Sequence, residues 1–155
     1  MLQIFVDADG CPVKDEIYKV AKRYNLSVTL VANTPLNIPL DPKVNLKVVP
    51  GNFDAADDWI VENIGNNDIA ITGDILLADR CIKKNAKVIG HKGNEFTPDN
   101  IGAVVASREL LIHLRQTGEA KGGPSGMIPK DRSNFLSKLD QVIQKLRVGV
   151  TQVKI

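Results

Sequence analysis

Cysteine, histidine and aromatic residues are all scarce in this chain. Only two cysteines, Cys11 and Cys81, occur in 155 residues, and they lie far apart. That excludes a disulfide framework and a zinc knuckle, both of which need several ligands at close spacing. The two thiols are expected to be reduced and buried as small hydrophobes. The two histidines, His91 and His113, form no pair at metal-binding spacing and are expected in surface or partly buried positions. Aromatic residues make up 5% of the chain, too few for a base-stacking platform of the single-strand-binding kind. No apolar run approaches the roughly 20 residues of a transmembrane helix. Asp7 and Asp9 interrupt the first apolar stretch, which excludes a signal-peptide core there. The expectation is a cytoplasmic protein with no membrane partner.

What is present suits an ordinary globular protein, 43% hydrophobic and 25% charged, with a length that fits one domain. The net charge of +2 conceals an asymmetry. Residues 1–80 carry 12 acids and 7 bases, a balance of −5, whereas residues 81–155 carry 6 acids and 13 bases, a balance of +7. Two solvated faces would produce this pattern, and so would a metal site beside a phosphate-binding surface.

Apolar runs and turn residues divide the chain into alternating elements. The segments 3–6, 27–32, 46–49, 68–72 and 86–89 are short, apolar and rich in β-branched residues, which predicts five strands. Between them, helical spacing runs from Pro12 to Tyr24, from Asp54 to Ile64 and from Leu76 to Lys84. Pro35, Pro39 and Pro42 make residues 33–43 an irregular loop. Strands that alternate with helices imply βαβ units and a parallel sheet. The predicted fold is α/β, a three-layer sandwich with a central, mostly parallel sheet of about five strands and flanking helices. Beyond Gly90 a loop to Asp99, a helix over 101–116, a glycine-rich basic loop over 118–130 and a helix over 131–147 complete a single domain of residues 1–147. Residues 148–155 alternate weakly and predict a frayed tail or an added edge strand.

Acidic residues collect where such a fold places its ligands. Asp7 and Asp9 follow the first strand, and Asp74 follows the fourth after Thr72-Gly73. Asp54, Asp57 and Asp58 share one face at the start of the second helix, and Asp79 lies in the third. Open parallel sheets bind ligands beyond the carboxyl ends of their strands. Asp7 and Asp74 each end an apolar strand, where an unused carboxylate is costly. Grouped carboxylates repel one another unless a cation neutralises them, and Mg²⁺ or Mn²⁺ prefers such oxygen ligands. The chemistry suited to that site is phosphoester hydrolysis. Each acid also has a plainer role open to it: Asp54 as a helix cap, Asp58 as solvated surface, Asp79 as an exposed helix residue.

Two chemistries fit this spacing. Asp7-Ala8-Asp9-Gly10 with Gly73-Asp74 and Asp79 resembles the haloacid dehalogenase phosphatases, with Asp7 as covalent nucleophile and Asp9 as general acid. Cys11 stands where a threonine is usual there, and the intervening motifs of that superfamily have no clear counterparts. Phe5-Val6-Asp7, Asp57 and Ile71-Thr72-Gly73-Asp74 resemble instead the metal-dependent nucleases of the PIN-like type, and this pattern uses every acidic cluster.

A closer resemblance favours the second. The segments 6–13, 31–33, 53–61 and 72–75, Gly118 with Gly122-Gly123-Pro124, and Asp131-Arg132 through Phe135 to Leu139-Asp140 look like the YaiI/YqxD family, bacterial proteins placed among PIN-like domains. Gly10 and Asp58 depart from that pattern, where Ala and Asn are usual. The resemblance implies a nuclease acting on RNA or DNA through Mg²⁺ or Mn²⁺. Asp7, Asp57 and Asp74 would be catalytic, Asp7, Asp9, Asp57 and Asp74 metal ligands, and Asp54, Asn33 and Thr72 supporting residues. Lys121, Gly122, Gly123, Lys130 and Arg132 form a candidate phosphate clamp, because glycines admit an anion to the backbone and the cations supply charge. RNA or another nucleic acid is the expected partner. A phosphatase with Asp7 as nucleophile and a non-catalytic RNA-binding module are the alternatives.

Overall fold

A computed structural model describes residues 2–52, 54–116 and 126–153, with side chains through residues 113 and 147 in the last two stretches. The strands are β1 (Gln3–Asp7), β2 (Ser27–Ala32), β3 (Val44–Val48), β4 (Ile69–Ile71), β5 (Lys87–Ile89) and β6 (Glu95–Phe96). The helices are α1 (Lys14–Tyr24), α2 (Asp54–Asn63), α3 (Ile75–Ile82), α4 (Ile101–Gln116) and α5 (Pro129–Val153). One sheet runs in the order β3-β2-β1-β4-β5-β6. The first five strands are parallel, and β6 pairs antiparallel with β5.

Both faces of this sheet are buried, which is why its central strands read as continuous apolar runs. Alternate residues still go to opposite layers. Ile4, Val6, Val28, Leu30, Ile69, Ile71 and Ile89 join one core, which α1 and α5 cover with Ile17, Val20, Phe135, Leu139 and Ile143. Phe5, Val31, Ala70 and Val88 join the other, covered by Ile60 of α2, Leu77 and Cys81 of α3, and Ile101 of α4. The result is a three-layer sandwich. Both cysteines are buried and unpaired, and burial pushes the Cys81 thiol up to about 12. None of the described helices is long and apolar enough to cross a membrane.

Several details differ from expectation, among them β3, which begins at Val44, two residues early. The sheet has six strands, because residues 95–96 add a strand too short to show a period of its own. Helix α5 begins at Pro129, two residues early. Pro129 takes the first helical position, where its missing N–H costs nothing, and the Asp131 carboxylate accepts from the Ile128 N–H at 3.1 Å to cap the start. Residues 148–153 continue α5 as helix and form neither frayed coil nor strand. Val148, Val150, Thr151 and Val153 favour strand by type, but extending an existing helix costs less than starting a separate strand.

The connection from β2 to β3 is a parallel crossover with no helix, held by its prolines and by the Lys43 N–H, which donates to the Asp41 carboxylate at 2.8 Å. The turn between β5 and β6 sits against α5. Gly93 has φ +88°, and a Cβ there would stand 2.7 Å from the Asn134 backbone. Gly93→Ala is therefore expected to cost about 1–3 kcal/mol in unfolding free energy, read by urea titration. An unchanged urea midpoint would refute the close packing of this turn on α5.

Candidate active site

Strand order reverses between β1 and β4, and that is where an open α/β sheet forms a ligand crevice. The register places Val6 beside Ile71, so Asp7 and Thr72 emerge side by side at the carboxyl end. Asp7 shares the parity of Phe5, and Thr72 that of Ala70, so both belong to the α2/α3 side of the sheet.

Thr72 is fully buried, and its hydroxyl joins the two strand ends. It donates to Asp7 Oδ2 at 2.8 Å and accepts from the Asp74 N–H at 2.9 Å. Asp74 is the N-cap of α3, and its Oδ1 accepts from the N–H groups of Leu76 at 2.9 Å and Leu77 at 3.3 Å. Among the described residues, no hydrogen bond engages Asp7 Oδ1 or Asp74 Oδ2.

Burial is the main cause that raises the Asp7 carboxyl above its ordinary value. The Thr72 hydrogen bond opposes the rise, while the charges of Asp74 and Asp9 add to it. Asp57, half-buried on the first turns of α2, is pushed up to about 6 by desolvation and by the charges of Asp7, Asp74 and Asp54. Five carboxylates thus act on one another's charge: Asp7 and Asp9 at the end of β1, Asp54 and Asp57 on α2, and Asp74 in the β4–α3 turn. As they lie, no three His, Cys, Asp or Glu side chains among the described residues are grouped to enclose a metal ion.

Asn33 acts as a clasp. Its backbone N–H donates to Asp9 Oδ2 at 2.8 Å, and its Nδ2 donates to the carbonyls of Val49 and Asn52 at 3.1 Å each. The loops leaving β1, β2 and β3 are thereby held together, with the entry to α2 among them. Asn33 was expected as a supporting residue, and its amide bonds to the scaffold around Asp9. Asp58 pairs with Arg80 at 2.9 Å and Asp79 with Lys83 at 3.2 Å, so both are surface ion pairs.

A cavity of about 360 Å³ opens over these strand ends. Asp7 and Asp9 line it from β1, and Gly73, Asp74 and Ile75 from β4 and α3. His91 after β5 and Arg108 of α4 complete it. His91 packs on Gly73, where a Cβ would come within 3.1 Å of the imidazole. Desolvation lowers the His91 pKa, and its buried Nε2 has no hydrogen-bond partner among the described residues. His113 is exposed on α4.

The proposed phosphate clamp divides. Lys121, Gly122 and Gly123 lie outside the described residues. Lys130 is exposed at the start of α5. Arg132 donates to the Pro12 carbonyl at 2.7 Å and pairs with Glu16 at 3.3 Å, stapling α5 to the β1–α1 loop. Arg108 went unnoticed in the sequence because a single arginine on an ordinary helix carries no local signal.

Residues 5–145 match the family described as "Uncharacterized BCR, YaiI/YqxD family". The chain belongs to the YaiI/YqxD family. It is 54% identical over 153 residues to a UPF0178 protein of Rhodospirillum centenum, covering 96% of this chain and 99% of that one. A UPF0178 protein of Agrobacterium fabrum is 52% identical over 145 residues, covering 94% of this chain and 95% of that one. No solved structure matches the chain. The family match runs from the end of β1 to α5, so all the carboxylates and Arg108 fall within it.

The raised Asp57 carboxyl has a measurable consequence. It binds its proton more tightly in the folded chain than in the unfolded one, whose value is near 3.8. Its contribution to stability is full below that value and is lost as pH rises through about 6. Without divalent ions, Asp57→Asn is expected to be more stable than the parent at pH 7 and about equal to it at pH 4. Urea denaturation at the two pH values checks this, and a variant less stable at pH 7 would refute the raised Asp57 carboxyl.

Proposed function

We propose that this YaiI/YqxD-family protein is a PIN-like, metal-dependent phosphodiester hydrolase acting on RNA or DNA. The observation that supports the reading is the placing of Asp7 and Asp74 at the switch between β1 and β4 with Asp57 within reach of their charge, where burial first and those charges second push Asp57 up to about 6. Such a field is unfavourable in isolation and becomes favourable around a cation.

The donor set fits Mg²⁺ or Mn²⁺. All the ligands are hard carboxylate oxygens, and Asp7 Oδ1 and Asp74 Oδ2 are left over from the hydrogen bonds that fix their side chains. Mg²⁺ is commonly held by one or two carboxylates, with waters and substrate phosphates completing its shell. A site built on Asp7 and Asp74 therefore does not need three protein ligands preassembled. Asp57 and Asp9 would contribute charge and hold coordinated water. The ion would supply Lewis-acid polarisation of the phosphoryl group and activation of water. Thr72 opposes the rise that burial imposes on the Asp7 carboxyl and holds it in place, and Asn33 holds the loops from which Asp9 and α2 extend.

Asp9 is less suited to the general-acid role of a covalent phosphatase, because its Oδ2 is already bound to the Asn33 N–H. The test is cleavage of labelled RNA and DNA oligonucleotides by the purified protein in Mg²⁺ or Mn²⁺. Asp7→Asn and Asp74→Asn are each expected to lower the rate by about a hundredfold or more. Unchanged metal-dependent cleavage by Asp7→Asn would overturn the reading. A trapped phosphoryl-aspartate would favour the phosphatase, and salt-sensitive RNA binding without turnover would favour a non-catalytic module.

A further inference from the structure

The cavity has a positive side as well as a negative one. Among the described residues that line it, Arg108 is the only cation, and it faces the same space as Asp7, Asp9 and Asp74. It is half-buried, yet it forms no ion pair with any described carboxylate. The other arginines near acids behave differently. Arg23 pairs with Asp140 and Arg80 with Asp58, each at 2.9 Å, and Arg132 pairs with Glu16. A guanidinium gains a strong charge-assisted bond when it reaches a carboxylate. Arg108 stands across a gap from three of them without closing it. A group that is anionic toward arginine and binds the carboxylates through a cation fits that gap, and a phosphate ester beside a divalent ion has that character.

We propose that Arg108 binds the non-bridging oxygens of a nucleotide phosphate opposite Asp7 and Asp74, and that the cavity takes a single unpaired nucleotide without regard to its base. This rests on the reading of the carboxylates as a phosphodiester site. Two features set the substrate class. The volume of about 360 Å³ lies near the lower end for small-ligand sites, enough for a phosphate and its sugar but not for a stacked duplex. Among the described residues, the lining holds no phenylalanine, tyrosine or tryptophan on which a base would stack, and its one apolar side chain is Ile75. Recognition falls on phosphate and sugar, so the substrate is a single-stranded segment or a strand end.

The experiment measures binding and needs no turnover. Adenosine 5′-monophosphate and cytidine 5′-monophosphate are titrated by calorimetry into the full chain, with and without Mn²⁺. Mn²⁺ binding itself is followed by electron paramagnetic resonance. The parent is expected to bind both nucleotides within about threefold of each other. Arg108→Met should weaken both by about tenfold or more, Arg108→Lys should restore part of the loss, and Mn²⁺ binding should be kept or tightened in Arg108→Met. Equal nucleotide binding by the parent and Arg108→Met would overturn the proposal. So would no nucleotide binding by the parent, or strong preference for one base. Failure of the parent to bind Mn²⁺ would strike the metal site instead, and the titrations without Mn²⁺ would still decide the role of Arg108.

Discussion

The Thr72 hydroxyl holds the centre of this molecule together. It sits in no water, donates to one strand-end carboxylate and accepts from the backbone of the residue that carries the other. The bond to Asp7 requires β1 and β4 to be parallel neighbours in a register that sets Val6 beside Ile71, while the bond from Asp74 fixes the turn that follows β4. Strand order, register and the spacing of two aspartates are therefore one constraint. The hydroxyl also acts on charge. Burial pushes Asp7 toward its neutral acid, and the Thr72 bond offsets part of that push. The Thr72 bond thus moderates, without cancelling, the rise that burial imposes on this strand-end carboxyl.

Around this pair the remaining loops are tied by polar bonds as well as by the burial of Ala8, Cys11 and Val13. Asn33 gathers the exits of three strands, Asp74 caps α3 with the carboxylate oxygen that faces the helix, and Arg132 fastens α5 to the loop that follows Asp9. The excess of basic residues in the second half of the chain is partly absorbed in the same way. Arg132 meets Glu16, and Lys138 approaches Glu95 at 4.0 Å. Charge that suggested a nucleic-acid surface is in part internal mortar. Arg108 lines the same cavity as Asp7, Asp9 and Asp74 and forms no ion pair with any described carboxylate.

Most of the fold was legible from apolar periodicity. The bounds of β2 and α4 agree with the sequence reading residue for residue, since a β-branched run and a long helical run leave little choice. The antiparallel β6 was not legible, because two residues carry no period. The carboxylates drew attention because strand ends are special positions in an α/β sheet, and Asp57 lies near enough to Asp7 and Asp74 to feel their charge. The partners were harder. Nothing near Asn33 in sequence announces that its amide reaches the carbonyls of Val49 and Asn52. Arg132 looked like a phosphate ligand because it stands at a helix start among glycines and lysines, but Pro12 and Glu16 were close enough in space to take it first. Arg108 was missed because its role depends on where α4 crosses the sheet, and that is set by packing with α3.

The staple between α1 and α5 also bears on how the chain comes into being. Tyr24 and Arg23 near the end of α1 bond to Asp140, and Phe135, Leu139 and Ile143 cover the same side of the sheet that α1 covers. These partners are synthesised more than a hundred residues apart. While the ribosome works through the intervening segment, the β1–α1–β2 unit stands with one flank bare and its strand edges unsatisfied. The nascent chain is thus at its stickiest in the middle of translation, and it becomes safe only when its last helix emerges and closes over its first.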